Sequence, residues 1–241
     1  MNIQNIYDNP EFFTGYKELR DHDQGFNLLL EQPAIDALLP DLKGTRIVDL
    51  GCGFGNFCRD ARERGAASVL GIDPSHQMLE IAQTKTQDSA IRYQCYAMEV
   101  FHGPDAPVDL VISSLALHYV EDYGAMVKKI YQWLKIGGYF IFSVEHPLCT
   151  ANPNFQTDAT GLFWPLYNYR DEKVFHQNWF VENVVKYHRT IATYLNTLME
   201  HGFTLKRMLE PMATDDMIKR DPQMIQHKLR PPLLAVSAQK L

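Results

Sequence analysis

The strongest chemical pattern in the chain joins a pair of glycines to two aspartates. The run Val48 to Phe57, VDLGCGFGNF, places Gly51, Cys52 and Gly53 directly after an apolar stretch, and Asp73 follows a second one, SVLGI. Glycines at 51 and 53 let the backbone turn sharply and let a ligand approach with no Cβ in the way. A carboxylate at the end of the neighbouring strand, where Asp73 falls, is placed to accept hydrogen bonds from both hydroxyls of a ribose. Alone, the glycine turn serves strand-to-helix packing equally well; joined to Asp73 it points to an adenosine-bearing ligand. The dinucleotide spacing G-x-G-x-x-G fails at its third position, Asn56, and Asp49 stands before the turn where a neutral residue is usual. Asp49 would repel a pyrophosphate, and no Walker lysine is present. A cationic ligand tolerates that carboxylate.

A side chain able to take a proton near neutral pH would be a histidine. His146 follows the run YFIFSV beside Glu145, which could orient or charge it, and is the candidate base. The alternative is that Glu145, His146 and Pro147 only terminate a strand and bond a loop. His118 in LALHYV and His188 with Arg189 are further candidates, with loop support and helix initiation as their alternatives. Tyr131 and Lys135 satisfy the Y-x-x-x-K spacing of short-chain dehydrogenases. Both fall at the end of an amphipathic helix, where snorkelling side chains are the simpler account. Cys52, Cys58, Cys95 and Cys149 form no C-x-x-C pair and no zinc spacing with histidines, so neither a metal site nor a disulfide framework is expected.

The elements that must position these groups alternate between strand and helix, the pattern of a doubly wound α/β sheet. Strands are expected at Thr45 to Leu50, Ser68 to Ile72, Ile91 to Tyr96, Val108 to Ser113 and Tyr139 to Val144. Between them, Phe57, Cys58 and Ala61 share one helical face, and Met78, Leu79 and Ala82 share another behind a Ser75 cap. Met126, Val127, Ile130 and Leu134 line a third helix that ends at Gly137 and Gly138. Phe203 to Leu209 and Leu233 to Ser237 read as a closing antiparallel hairpin. Residues 151 to 187 break the rhythm: they hold nine of the 28 aromatic residues.

A chain of 241 residues, 46% hydrophobic, suits one domain with an insertion. Its longest apolar runs are too short for a membrane span, and its first residues lack the pattern of a signal peptide, so a cytoplasmic location is expected. A formal net charge of −6 argues against nucleic acid as partner.

Taken in order, VDLGCGFGNF, GIDPS (Gly71 to Ser75), VDLVISSLALHYV (Val108 to Val120) and LKIGGYFIFSVEHP (Leu134 to Pro147) resemble the motifs of class I S-adenosylmethionine-dependent methyltransferases, over about residues 40 to 147. The resemblance implies a seven-stranded, mostly parallel sheet with the last strand antiparallel, and S-adenosylmethionine as cofactor. Carried over by position, Gly51, Cys52 and Gly53 would contact its amino acid part, with Asp49 nearby. Asp73 would hold the ribose, Pro74 and Met78 would flank the adenine, and Ser113 and Ser114 would lie near the sulfonium methyl. Many members carry an aspartate for the adenine amino group after the third strand. Here the stretch reads CYAME, so backbone at Ala97 and Met98, or the Glu99 carboxylate, would take its place.

Related enzymes often close the site with an amino-terminal helix. Residues 1–40 are therefore expected to form a helical cap within a single domain, with Arg20 either meeting the methionyl carboxylate or lying on the surface. The insertion, residues 148–188, is expected to form a lid and acceptor pocket or, failing that, a packing subdomain. The implied reaction is methyl transfer to a small-molecule acceptor by in-line displacement, with O, N or C as the accepting atom. An RNA-modifying methyltransferase, a cofactor-binding module without turnover and an NAD(P)-binding short-chain dehydrogenase are the alternatives.

Overall fold

Two helices, α1 (Pro10–Asp21) and α2 (Gln32–Asp36), precede the first strand, β1 (Arg46–Leu50), in a computed structural model that describes residues 4–21, 26–152, 163–166 and 168–241. Every residue of β1 except the first is buried, so its alternating side chains supply apolar groups to helices on both faces of the sheet. The chain winds through α3 (Asn56–Glu63), β2 (Ser68–Asp73), α4 (His76–Thr84) and β3 (Ile91–Cys95) on one side of β1. It returns through β4 (Val108–Ser113), α5 (Tyr123–Trp133) and β5 (Leu134–Glu145) on the other. After a short turn of helix, α6 (Pro147–Thr150), come the strands β6 (Val174–Trp179) and β7 (Val181–Tyr187) and helix α7 (Ile191–Glu200). Strand β8 (Phe203–Leu209), two short helices, α8 (Asp215–Arg220) and α9 (Gln226–Leu229), and β9 (Leu233–Lys240) complete the fold.

Seven strands form one sheet in the order β3-β2-β1-β4-β5-β9-β8. The pairs from β3 to β5 are parallel, while β9 lies antiparallel between β5 and β8. One face packs Val48, Val111, Phe140 and Phe142 against Tyr123, Val127 and Tyr194; the other packs Ile47, Leu110 and Ile141 against Ala61. Strand order reverses between β1 and β4, which leaves a crevice at the carboxyl ends of these strands.

Two elements depart from the sequence pattern. Leu134 begins β5 instead of ending α5, because the chain passes Gly137 at φ +80° and rejoins β4 with a shift of register between Val108 and Leu110. In the aromatic segment, β6 and β7 pair as an antiparallel hairpin that reverses at Phe180, φ +56°. Phe155 and Tyr167 of that segment lie outside the described residues.

Candidate active site

After β1 the backbone is tied to β2: the amides of Gly51 and Cys52 both donate to the Ile72 carbonyl, at 2.8 and 3.1 Å. Gly51 sits at φ +78°, and a Cβ there would lie 2.6 Å from the Ala116 Cβ. Gly53, at φ +50°, faces open space instead, and its amide donates to Asp73 Oδ2 at 2.9 Å. The second oxygen of Asp73 accepts from the Ser75 amide at 2.9 Å. Burial outweighs both amides and pushes the Asp73 carboxyl up to about 6. Asp49 is held to about 7, by burial first and then by the nearby Asp73 and Glu31, although the Cys58 thiol donates to it at 3.3 Å. Two carboxyls held above their usual range at the ends of adjacent strands favour a positively charged ligand, which would stabilise their ionised forms.

These groups open into a cleft of about 920 Å³. Asp49, Gly51, Cys52, Gly53 and Asp73 line it; so do Pro74 and Met78 from the start of α4, and Ala97, Met98 and Glu99 from the turn after β3. Burial raises the Glu99 carboxyl. Arg20 lines the cleft from α1. Ser114 does so as well, but its hydroxyl donates to Glu31 Oε1 at 2.6 Å. Ser113 is elsewhere: it is fully buried, and its hydroxyl donates to the Leu50 carbonyl at 2.9 Å, tying β4 to β1.

His146 is also placed differently from the sequence expectation. Its ring is fully buried and does not line the cleft; Nδ1 accepts the Leu148 amide at 3.1 Å and Nε2 meets Glu210 Oε1 at 2.8 Å. The side chain caps α6 and anchors the segment after β8, because the chain turns at Pro147. His188 is likewise engaged at both nitrogens, by the Thr150 hydroxyl at 2.6 Å and the Tyr169 carbonyl at 2.9 Å.

The group that does reach the cleft at the end of β5 is Glu145. Its Oε1 is bound by Lys186 of β7, while Oε2 is buried without a partner. Burial opposes ionisation, but Lys186 and then His118 hold the Glu145 carboxyl below its usual range. Lys186, only 1% exposed, also donates to Gln177 Oε1 at 2.8 Å, and its ammonium lies 5.3 Å from the Trp179 ring centre and 5.7 Å from that of Tyr119. His118 lines the same part of the cleft; burial, then Lys186 and Arg189, depress its ring to about 4, although Glu145 opposes them.

The amino-terminal segment and the hairpin meet above this floor. The Gln4 amide pairs with the Val185 backbone at 2.8 and 3.3 Å, and Phe12 packs edge-on against Trp179 and Phe180. Asp8 fixes the segment to α4 by accepting the Ser75 hydroxyl at 2.6 Å and the Gln77 amide at 3.2 Å. Trp179 belongs to the aromatic segment expected to form the lid and acceptor pocket, whereas sequence reasoning passed over Asp8, Glu31 and Lys186 as site residues. Only Glu31 left a signal, a carboxylate inside the apolar run NLLLEQPAI.

The family described as Methyltransferase domain matches residues 48–142. A solved S-adenosylmethionine-dependent methyltransferase from Mesorhizobium loti is 42% identical, with 87% of this chain and 97% of that one covered and a TM-score of 0.83. The chain belongs to the class I S-adenosylmethionine-dependent methyltransferases. A Haemophilus influenzae protein described as uncharacterized is 34% identical over 98% of this chain and 97% of its own length. A ubiquinone biosynthesis O-methyltransferase from Idiomarina loihiensis is 37% identical over 50% of this chain and 48% of its own, so that match spans about half of either protein.

The cofactor of the methyltransferase is S-adenosylmethionine. It supplies an electrophilic methyl group on a sulfonium cation, and the uncompensated Asp49 and Asp73 carboxyls fit that charge. The dehydrogenase alternative is overturned. Lys135 pairs with Asp109 near the start of β4, at the opposite end of the sheet, and the Tyr131 ring packs against Phe203. Among the described residues no helix is long and apolar enough to cross a membrane, and no cluster of three His, Cys, Asp or Glu is placed to hold a metal ion.

Proposed function

We propose that the methyltransferase acts on a small molecule held between the ends of β4 and β5 and the roof formed by the amino-terminal segment and the β6–β7 hairpin. One observation carries this reading: a single cleft runs from Asp73 and Gly51 past Ser114 to Glu145 and His118, and Tyr7 and Trp179 also line it. Its volume of about 920 Å³ is near the top of the range of roughly 300–1,000 Å³ for small-molecule sites, enough for a cofactor and a modest acceptor. Several carboxylates, among them Glu31, Asp36, Asp60 and Glu121, line the same space and would repel a phosphodiester chain.

In this reading Gly51, Cys52, Gly53 and Asp49 hold the amino acid part of the cofactor, with Arg20 toward its carboxylate. Asp73 holds the ribose; Pro74, Met78, Ala97, Met98 and Glu99 surround the adenine. Methyl transfer to an aligned acceptor needs positioning and exclusion of water more than a strong base. The roof excludes water. The Glu145 carboxylate, which lines the cleft, accepts a hydrogen bond from the acceptor's O–H or N–H, orients its lone pair and takes up its proton. Glu145 thus replaces His146 as the group beside the reaction.

Incubating a cell extract with the enzyme and an isotopically labelled methyl donor tests this reading. Label is expected in metabolites resolved by mass spectrometry; label confined to RNA would overturn it. The variant Glu145→Gln should lower turnover on the labelled metabolite roughly 10²-fold while S-adenosylhomocysteine still binds.

A further inference from the structure

Arg230, just after α9, lines the cleft beyond Glu145 together with Cys149 and His227. Its guanidinium carbon lies over the Trp164 ring, 3.6 Å from the ring centre, and Nη1 donates to Cys149 Sγ at 2.8 Å. Trp164 is itself fixed by its indole N–H, which donates to the Leu148 carbonyl at 2.9 Å. Nε and Nη2, the fork that matches a carboxylate, have no hydrogen-bond partner among the described residues, and no carboxylate of those residues lies within 4.0 Å of the group. His227, on the same turn, leaves Nδ1 buried and unpartnered. A half-buried cation held by a ring and a thiol, facing a cavity with no counter-ion for it among the described residues, is incomplete until an anion arrives.

We propose that the methyl acceptor carries a carboxylate, bound by the Nε/Nη2 fork of Arg230 at the end of the cleft beside Cys149 and His227. The proposal rests on the small-molecule reading above and names the acceptor's class. One planar fork suits a monoanion. A phosphate dianion would call for a second cation beside the same fork. The acceptor would then span two fixed points, its carboxylate on Arg230 and its O–H or N–H on Glu145.

The test uses the full chain saturated with S-adenosylhomocysteine and titrated calorimetrically with benzoate, benzamide and phenyl phosphate, chosen because aromatic side chains line the cleft. Benzoate is expected to bind roughly tenfold or more tightly than benzamide, the size of a charge-assisted hydrogen bond. Arg230→Met should erase that preference with S-adenosylhomocysteine affinity held to about twofold, as for a distant site. The proposal is overturned if benzoate and benzamide bind alike, if neither binds at millimolar concentration, if Arg230→Met leaves the preference intact, or if phenyl phosphate binds more tightly than benzoate. Failure to bind S-adenosylhomocysteine would instead strike at the methyltransferase reading, so the two failures are separable.

Discussion

Asp73 and Glu145 both end strands of the same sheet and both line the same cleft, and yet their carboxyls move in opposite directions. Asp73 receives only backbone amides and rises to about 6; Glu145 is met by the Lys186 ammonium and falls below its usual range. Among the described residues Asp73 meets no cation, and in the proposed reading the sulfonium cofactor would supply one. The acceptor side brings its own counter-ion on the hairpin, so Glu145 stays ionised before any ligand binds. Burial raises a carboxyl on either side; what differs is whether the protein or the ligand provides the cation.

The strongest way to break this comparison is to remove one carboxylate at a time. Asp73→Ala is expected to weaken S-adenosylhomocysteine binding roughly 10²-fold in calorimetry, whereas Glu145→Gln should leave it nearly unchanged. Equal losses would show that the two sides are not distinct.

Lys186→Met should make Glu145 behave like Asp73. Without the ammonium the Glu145 carboxyl rises, so the acid limb of the turnover-pH profile should move to higher pH. Unfolding stability should fall by about 2 kcal/mol, below the usual loss for a broken buried pair because Glu145 is partly exposed. An unmoved pH profile would remove Lys186 from the account.

The next effect is on pH and binding. Burial holds the Asp49 and Asp73 carboxyls up to about 7 and about 6, above the aspartate value of about 3.9 in an unfolded chain. Their protonated forms favour the empty fold, so that contribution is complete below about pH 4 and is lost as pH rises through about 6 to 7. A cationic ligand selects the ionised forms. S-adenosylmethionine affinity should therefore climb roughly tenfold between about pH 5 and pH 8, and affinity for the neutral thioether product should climb less. Identical slopes would show that charge is not what the two aspartates read.

The smallest effect concerns the roof. A Cβ at Gly15 would meet Phe180 Cδ1 at 2.6 Å. Gly15→Ala should strengthen α1 by up to about 1 kcal/mol while displacing the hairpin, so the acceptor KM rises a few-fold as stability holds. A KM left unchanged would separate the hairpin from acceptor binding.

The cofactor side was legible before the structure because its parts are local. Strand, glycine turn and the next strand's terminal carboxylate lie within Arg46 to Asp73, and parallel pairing of β1 with β2 brings Asp49 and Asp73 to the same sheet end. The acceptor side resisted the same reading. The sequence pointed to His146 as the base, with the adjacent Glu145 only orienting or charging it. The turn at Pro147 buries the imidazole against Glu210, 64 residues later, and leaves Glu145 in the cleft. Lys186 carries no local signal in the sequence; Trp179, Tyr119 and Glu145 surround it only in the fold.

What the sequence determined by itself was the doubly wound order of elements, the turn at Gly51 and the acid at Asp73, since hydrophobic periodicity and glycine backbone freedom act over a few residues. The tertiary structure alone decided which proton-bearing group lines the cleft at the end of β5, which cation neutralises it, and that Arg230 has no carboxylate partner among the described residues. Those are properties of contacts between segments far apart in the chain, and no local pattern encodes them.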